Sequence, residues 1–157
     1  MMNVDADSAK VTFPPPFMYL GMLLAGLAAD RILPWSLNLG DVARYRSGVI
    51  FIIAALVFLL SASGRFRRAG TDVKPWKTTS AIVNEGIYAI TRNPMYLGMA
   101  LFYVGLGLAF SSLGVIVLLP VLLAIIQTQV IAREERYLES KFGDEYRNYK
   151  TRVRRWF

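Results

Sequence analysis

The chain has 157 residues, of which 55% are hydrophobic, and carries a net charge of +7 from 18 basic and 11 acidic side chains. It has no cysteine for disulfides or a thiolate and no histidine, the commonest general base and metal ligand, so no metal site is predicted. The basic residues flank apolar runs instead of forming a separate basic region, which argues against nucleic acid and favours anionic lipid headgroups.

The first half of the chain predicts two membrane spans behind a polar N-terminal segment. Residues 1–12 lack the basic start of a secretory signal, so this segment is expected to stay uncleaved. A run of three prolines precedes the first apolar stretch, and the spans are predicted at residues 17–33 and 47–63. Trp35 and Tyr45 lie between them and suit the aromatic belt of a bilayer.

The second half contains forty residues without a charge, from Asn93 to Ala132. A helix of that length extends roughly 60 Å, about twice the hydrocarbon core, so the run predicts two spans, at residues 95–110 and 113–132. The tight connection at Ser111 and Ser112 makes them an antiparallel hairpin. Three glycines of the third span are expected to let these two helices approach closely: Gly98, Gly105 and Gly107.

The predicted fold is therefore all-α, a polytopic bundle of about four transmembrane helices forming a single domain over residues 1–157. Fourteen of the eighteen basic residues lie in the 64–92 loop or after residue 132. The positive-inside rule makes that side cytoplasmic, together with both termini, and the cell inner membrane is the expected location. The 64–92 loop mixes apolar and turn residues and is expected to be ordered. After the fourth span the helix is expected to continue to Phe142 and stop at Gly143, before a short helix carrying Tyr146 and Tyr149.

Polar residues frame the hairpin on its cytoplasmic side. Arg92 and Asn93 precede it, and a helix N-terminus beside an arginine attracts a carboxylate or phosphate. Glu134 and Glu135 follow it, and Gln127 extends their face into the hydrocarbon zone. A zwitterionic ligand fits such a pair of clusters. Two simpler readings stay open, in which Asn93 is only a helix cap beside an interfacial anchor and the glutamates only mark where a span leaves the membrane.

Five short pieces in order resemble the isoprenylcysteine carboxyl methyltransferase family and the related phospholipid methyltransferases, over about residues 66–156. They are Phe66-Arg67-Arg68-Ala69-Gly70-Thr71, Gly86-Ile87-Tyr88, Arg92-Asn93-Pro94-Met95-Tyr96-Leu97-Gly98, Glu134-Glu135 and Phe142-Gly143-Asp144-Glu145-Tyr146. The resemblance implies an integral membrane enzyme that uses S-adenosyl-L-methionine and takes a lipophilic acceptor from the bilayer. Carried over by position, the implied cofactor-binding residues are Tyr88, Asn93, Pro94, Met95, Tyr96 and Glu134, with Arg92, Asn93, Tyr96 and Glu135 as positioning candidates.

Two positions depart from the family pattern. Asn93 stands where the family usually has histidine, and Val130 stands where the prenylcysteine enzymes carry an arginine associated with substrate. A carboxylate acceptor needs no general base at neutral pH, whereas an amine or hydroxyl must lose a proton, so a lipid-borne acid is favoured. Other readings stay open: a phospholipid or amine N-methyltransferase, a membrane sterol-type reductase, or a non-catalytic membrane scaffold.

Overall fold

The computed structural model describes residues 5–11, 13–33, 35–72 and 74–156. The first four residues of the polar N-terminal segment, and Thr12 within it, lie outside this set. The described residues form helices joined by turns and loops, with no strand among them, so the all-α prediction is confirmed for this part of the chain. The helices are α1 (Pro15–Ile32), α2 (Asp41–Arg68), α3 (Pro94–Ala109), α4 (Leu113–Ile125), α5 (Ala132–Phe142) and α6 (Asp144–Arg152), with a 3-10 turn at Gly86–Ala89 and a π-helical segment at Ile126–Ile131.

Helix α1 begins inside the proline run and packs against α4. Pro14 is its N-cap, and proline is tolerated in the first turn because those N–H groups have no partner within the helix. At its far end Asp30 caps α4: its Oδ1 accepts the Gly114 N–H at 2.8 Å, and its Oδ2 accepts the Ser112 hydroxyl. The cap of α4 thus comes partly from another helix, which fixes the register between the two.

Helix α2 is longer than its predicted span and is the main partner of α3. Its 28 residues extend about 42 Å, so it projects beyond the apolar run at both ends. A Cβ at Gly98 would come within 2.9 Å of Leu59, and one at Gly105 within 2.8 Å of Ile52, both on α2. The expectation that these glycines serve the α3–α4 contact is therefore wrong. Gly107 alone of the three faces α4, at Val115.

The π-helical segment interrupts the long helix that runs from α4 into α5. Its wider turn rotates the residues after it relative to those before it. The predicted polar face is consequently divided: Glu134 lines a pocket, whereas Ile131 is fully buried in the core and Gln127 bonds Trp156. The prediction of one continuous polar face from Gln127 to Glu134, which assumes an ideal α-helix, is therefore wrong.

Two helices in the described part of the chain are long and apolar enough to cross a membrane. They are α2 and the continuous helix Leu113–Phe142, while α3 is apolar but has 16 residues. Much of the outward face of α2 is exposed and aliphatic, as at Ile50, Ile53 and Leu60. Two spans are thus supported by length and composition, and the count of four stays a prediction.

The elements outside the predicted spans follow their local signals. Helix α5 ends at Phe142, where Gly143 has φ +53°, a conformation that side chains disfavour, and α6 carries Tyr146 and Tyr149 into a small buried cluster. The 64–92 loop is ordered over its described residues: Ser80 N–H donates to Thr71 Oγ1 at 3.0 Å, and Thr79 N–H donates to the Tyr137 hydroxyl at 3.2 Å. These predictions are confirmed.

Candidate functional site

A pocket lies where the start of α3, the α2–α3 loop, α5 and α6 meet. Its empty space measures about 820 Å³, a volume that includes the solvent in its open mouth. All eight residues singled out from the sequence line it: Tyr88, Arg92, Asn93, Pro94, Met95, Tyr96, Glu134 and Glu135. The structure thus brings together residues that are more than 40 positions apart. This is possible because the α3–α4 hairpin returns the chain to the end of the bundle at which α3 begins.

The start of α3 forms one side of the pocket. Asn93 is the N-cap and Pro94 the first helical residue, as the sequence indicates. The Asn93 side chain does not cap the helix, however. Its Nδ2 donates to the Arg155 carbonyl at 3.0 Å, and its backbone N–H donates to Thr91 Oγ1 at 3.3 Å. The reading in which the Asn93 side chain only caps α3 is therefore wrong, because its amide bonds the C-terminal segment instead.

Tyr96 joins the two sides of the pocket. Its hydroxyl donates to Glu134 Oε1 at 2.7 Å, and its carbonyl accepts the Tyr19 hydroxyl at 3.0 Å. Among the described residues, the Tyr96 hydroxyl donates to one oxygen of Glu134, and the second oxygen can accept from another donor. A carboxylate in this arrangement suits an ammonium group.

Glu135 lies between two arginines. Its side chain is 10% exposed; Arg155 donates to both of its oxygens, at 3.0 and 2.5 Å, and Arg92 Nη1 lies 3.1 Å from Oε1. The Arg92 side chain is also 10% exposed, yet its Nε and Nη1 donate no hydrogen bond to the described residues. Both nitrogens are enclosed by protein, and the position of Nη1 beside Glu135 keeps the Arg92 guanidinium next to a carboxylate at the edge of the pocket.

Aromatic rings form another wall. Tyr88, in the 3-10 turn, stacks edge to face on Phe66 at 5.5 Å, and its carbonyl accepts the Tyr149 hydroxyl at 2.7 Å. Burial raises the pKa of Tyr88 far above its usual value and that of Tyr146 to about 12. Both phenols are therefore protonated at neutral pH and act as donors or apolar surface.

Residues 5–11, which we name the N-terminal strap, run beside the pocket. Asp5 pairs with Lys77 at 3.1 Å and accepts the Thr78 N–H at 3.1 Å, while Asp7 pairs with Lys141 at 2.5 Å. Ala9 lines the pocket. The strap thus connects the α2–α3 loop to α5 next to the pocket.

The resemblance implies a pocket formed by the last two spans and the C-terminal segment, but neither the strap nor Arg155 was singled out as part of the site. Asp7 and Lys141 are 134 positions apart, and Arg155 and Glu135 are separated by α6. Each side chain looks like an ordinary solvated charge in the sequence. No local pattern in the sequence indicates that these acidic and basic residues pair with each other. Only the tertiary contacts identify them as parts of the site.

The profile of the phospholipid methyltransferase family matches residues 43–145, about two thirds of the chain. The chain therefore belongs to the phospholipid methyltransferase family, and the resemblance read from its motifs is confirmed. Membership indicates a membrane methyltransferase.

Individual relatives agree with this assignment. The chain is 35% identical over 150 residues to protein-S-isoprenylcysteine O-methyltransferase of Schizosaccharomyces pombe, covering 87% of this chain and 63% of that protein. It is 28% identical over 158 residues to the cobalt-zinc-cadmium resistance protein CzcN of Cupriavidus metallidurans, covering 85% of this chain and 69% of that one. An uncharacterised Haemophilus influenzae protein is 54% identical over 66 residues, 40% of this chain and 98% of its own length. No solved structure matches the chain.

Proposed function

We propose that this protein is an S-adenosyl-L-methionine-dependent integral membrane methyltransferase that acts on a lipophilic acceptor, with a carboxylate as the favoured acceptor group. One observation carries the proposal: the guanidinium-bearing Arg92 and the carboxylate-bearing Glu134 line the same pocket beside the N-terminus of α3. Opposite charges at two points of a pocket match an amino-acid moiety, because its carboxylate and ammonium each find a partner.

The residues present fit this cofactor. Arg92 and the start of α3 would hold its carboxylate, and Glu134 its ammonium. Tyr88 and the aliphatic residues Ile82 and Val83 provide a largely apolar wall for the nucleoside. The bound cofactor supplies a methyl group that is already activated on a sulfonium, so the protein needs no metal and no covalent intermediate of its own.

The side chains of the pocket therefore align the acceptor and exclude water. The raised pKa values of Tyr88 and Tyr146 keep both phenols protonated, so neither is a base at neutral pH. Glu135 is held by two guanidinium groups and is a poor proton acceptor. With Glu134 assigned to the ammonium of the cofactor, these features support an acceptor that is already ionised, such as a carboxylate, over an amine or hydroxyl that must first be deprotonated.

The placement in the membrane is part of the proposal. Four spans would put the pocket and both termini on the cytoplasmic side of the inner membrane, next to the basic residues. The acceptor would then reach the pocket from the bilayer. The exposed aliphatic face of α2 and the apolar helix Leu113–Phe142 support a lipid environment on this side of the molecule.

A second candidate is N-methylation of a phospholipid or amine, which the name of the matching family profile favours. A membrane sterol-type reductase would bind NADPH in the same pocket, and a non-catalytic scaffold would bind neither cofactor. Calorimetric titration of the detergent-purified protein with S-adenosylhomocysteine and with NADPH separates these classes. Binding of S-adenosylhomocysteine alone is expected, and binding of NADPH alone would replace the proposal with the reductase.

The acceptor is tested by transfer of a radiolabelled methyl group. We expect labelling of prenylated thiol-acid analogues to increase with chain length, since each additional buried methylene contributes roughly 0.8 kcal/mol until the groove is filled. Phosphatidylethanolamine vesicles serve as the amine comparison. Labelling of the vesicle lipid, with none of the acids, would establish the second candidate. Transfer to a short soluble acid regardless of chain length would contradict entry from the bilayer.

A further inference from the structure

The hydroxyl of Tyr137 on α5 joins separate parts of the chain in the wall of the pocket. It accepts the Thr79 N–H of the α2–α3 loop at 3.2 Å and the Lys141 ammonium of its own helix at 3.1 Å. It donates to the Asp7 carbonyl of the N-terminal strap at 3.1 Å. One proton and two lone pairs are the capacity of such a hydroxyl, and these bonds use all of it. Tyr137, Thr79 and Ala9 of the strap all line the pocket.

The α2–α3 loop provides one wall of the pocket without regular structure of its own. Its described residues before the 3-10 turn, 69–72 and 74–85, form no helix or strand. They include the apolar lining residues Ala81, Ile82 and Val83, while α5 contributes Glu134 to another wall. An irregular segment lacks a hydrogen-bond ladder, so its contacts with neighbouring elements determine where it lies.

The bond from Thr79 to Tyr137 is the direct polar link between this loop and α5. Over the described residues, no other hydrogen bond or ion pair joins the two. Ile82 also packs on the apolar cluster around Tyr146, but apolar contact is non-directional and permits sliding. A hydrogen bond requires its donor and acceptor to be aligned, so the Tyr137 hydroxyl fixes the position of the loop along α5.

The strap reinforces the same junction. Asp5 bonds to the loop through the Thr78 N–H, and Asp7 pairs with Lys141, whose ammonium also donates to the Tyr137 hydroxyl. The strap, the loop and α5 therefore converge on one phenol.

We propose that Tyr137 is a positioning residue whose hydroxyl holds the loop and the strap against α5, and so sets the separation between the apolar wall of the pocket and Glu134. This rests on the proposed function, in which the nucleoside of the cofactor lies against the apolar wall and its ammonium at Glu134. A ligand that contacts both walls gains from a fixed separation, because the walls need not be ordered when it binds. A ligand confined to the apolar wall gains little.

The test compares two ligands in calorimetric titrations of the detergent-purified full chain. S-adenosylhomocysteine reaches both walls, and 5′-methylthioadenosine has the nucleoside and thioether without the amino-acid moiety. Tyr137→Phe removes the hydroxyl and keeps the ring. It is expected to weaken S-adenosylhomocysteine binding roughly threefold to tenfold and to leave 5′-methylthioadenosine binding unchanged. Tyr45→Phe, at an exposed tyrosine of α2 whose hydroxyl accepts from Arg44, is the matched control and should bind both ligands as the parent does.

Amide hydrogen exchange without ligand tests the route. The Thr79 N–H should exchange faster in Tyr137→Phe than in the parent, because its acceptor is gone. The neighbouring Ser80 N–H donates to Thr71 Oγ1 at 3.0 Å and should exchange alike in both proteins. Faster exchange at both positions would indicate general loosening of the loop and overturn the specific role of the hydroxyl.

The remaining outcomes separate this proposal from the proposed function. Equal losses for the two ligands, or an unchanged S-adenosylhomocysteine affinity in Tyr137→Phe, would overturn the positioning role and leave the proposed function intact. If the parent binds no S-adenosylhomocysteine, the proposed function fails, and the exchange of Thr79 still decides whether Tyr137 holds the loop. Equal Thr79 exchange in the parent and Tyr137→Phe would overturn that role.

Discussion

Glu134 is an acidic side chain of the pocket whose second oxygen can accept from a ligand. Tyr96 donates to Oε1, whereas Glu135 next to it is occupied by two arginines. Adjacent residues on one helix therefore differ in what they can bind. The difference comes from their directions: Glu134 points towards α3, and Glu135 towards the C-terminal segment.

Glu134→Gln is expected to weaken S-adenosylhomocysteine binding about tenfold to a hundredfold, because a hydrogen bond to a charged group contributes about 1.5–3 kcal/mol. The glutamine keeps the shape and can still accept from Tyr96, so the yield of folded protein should be unchanged. Calorimetry measures the affinity. Glu145→Gln, the same change at an exposed position of α6, is the control, and an unchanged affinity in Glu134→Gln would exclude the residue from the cofactor site.

At the scale of the elements, the helices are held by glycines at their crossings. Gly26 and Gly21 both lie on α1, but a Cβ at Gly26 would come within 2.6 Å of the Val115 backbone nitrogen, whereas one at Gly21 meets nothing within 4 Å. The crossing of α1 and α4 at Gly26 also carries the Asp30 cap of α4. The close backbone contact between α1 and α4 and the capping of α4 by Asp30 thus both depend on the crossing at Gly26.

Gly26→Ala is expected to lower the free energy of unfolding by about 1–3 kcal/mol, since the obstacle is backbone that cannot move aside. Gly21→Ala is the matched control and should be neutral or slightly stabilising, because alanine has the higher helix propensity. Thermal unfolding in detergent micelles measures both. Equal melting temperatures for the two variants would contradict the α1–α4 crossing.

The N-terminal strap is held by the ion pairs of Asp5 and Asp7 at one end and by the buried Ala9 and Val11 at the other. The hydrogen bond from the Thr78 backbone and the pair with Lys77 lower the pKa of Asp5 below its usual 3.8, and the Lys141 hydrogen bond does the same for Asp7. A lowered pKa in the docked state means that docking is favoured above the usual pKa and is lost as pH falls through the lowered values.

We therefore expect residues 5–7 of the strap to be docked at neutral pH and to loosen progressively as the pH falls below roughly 4. A spin label on Ala6→Cys, in a chain without other cysteines, should be immobile at pH 7 and mobile in acid. In an Asp5→Asn/Asp7→Asn background it should be mobile at both. A label on Ser36→Cys is the control for general unfolding, and a pH-independent signal from residue 6 in the parent would contradict the ionic docking.

For the whole molecule, the central prediction is that both sides of the pocket face the cytoplasm. Exposed positions were chosen for single cysteines: Ala6→Cys, Ser36→Cys, Ser80→Cys and Thr151→Cys. In intact cells, a membrane-impermeant maleimide is expected to label Ser36→Cys alone, because the other three lie on the basic side. Permeabilised cells, where all four should react, provide the control. External labelling at residue 80 or 151 would contradict the four-span topology.

The sequence alone was sufficient for the features that depend on near neighbours along the chain. The uncharged run predicts apolar helices, Asn93-Pro94 marks the start of α3, and Gly143 marks the end of α5, because helix formation, capping and termination involve only a few adjacent residues. The same local reasoning placed Arg92 and Asn93 on one side of the hairpin and Glu134 and Glu135 on the other, whereas Tyr88 and Met95 came from the family resemblance. Apolar patterning could not indicate which helices touch, since burial is non-directional and lipid satisfies an apolar face as well as protein does.

Only the tertiary structure decided which helices and which charged residues contact each other. Gly98 and Gly105 face α2 instead of α4, and the π-helical segment turns Ile131 into the core and Glu134 towards the pocket. Arg155 reaches Glu135 and Asn93 because α6 folds the chain back, which no spacing in the sequence encodes. Such contacts are chosen by competition among surfaces that meet only after the helices have packed, and for that reason the charges that shape the pocket could not be told from ordinary solvated ones beforehand.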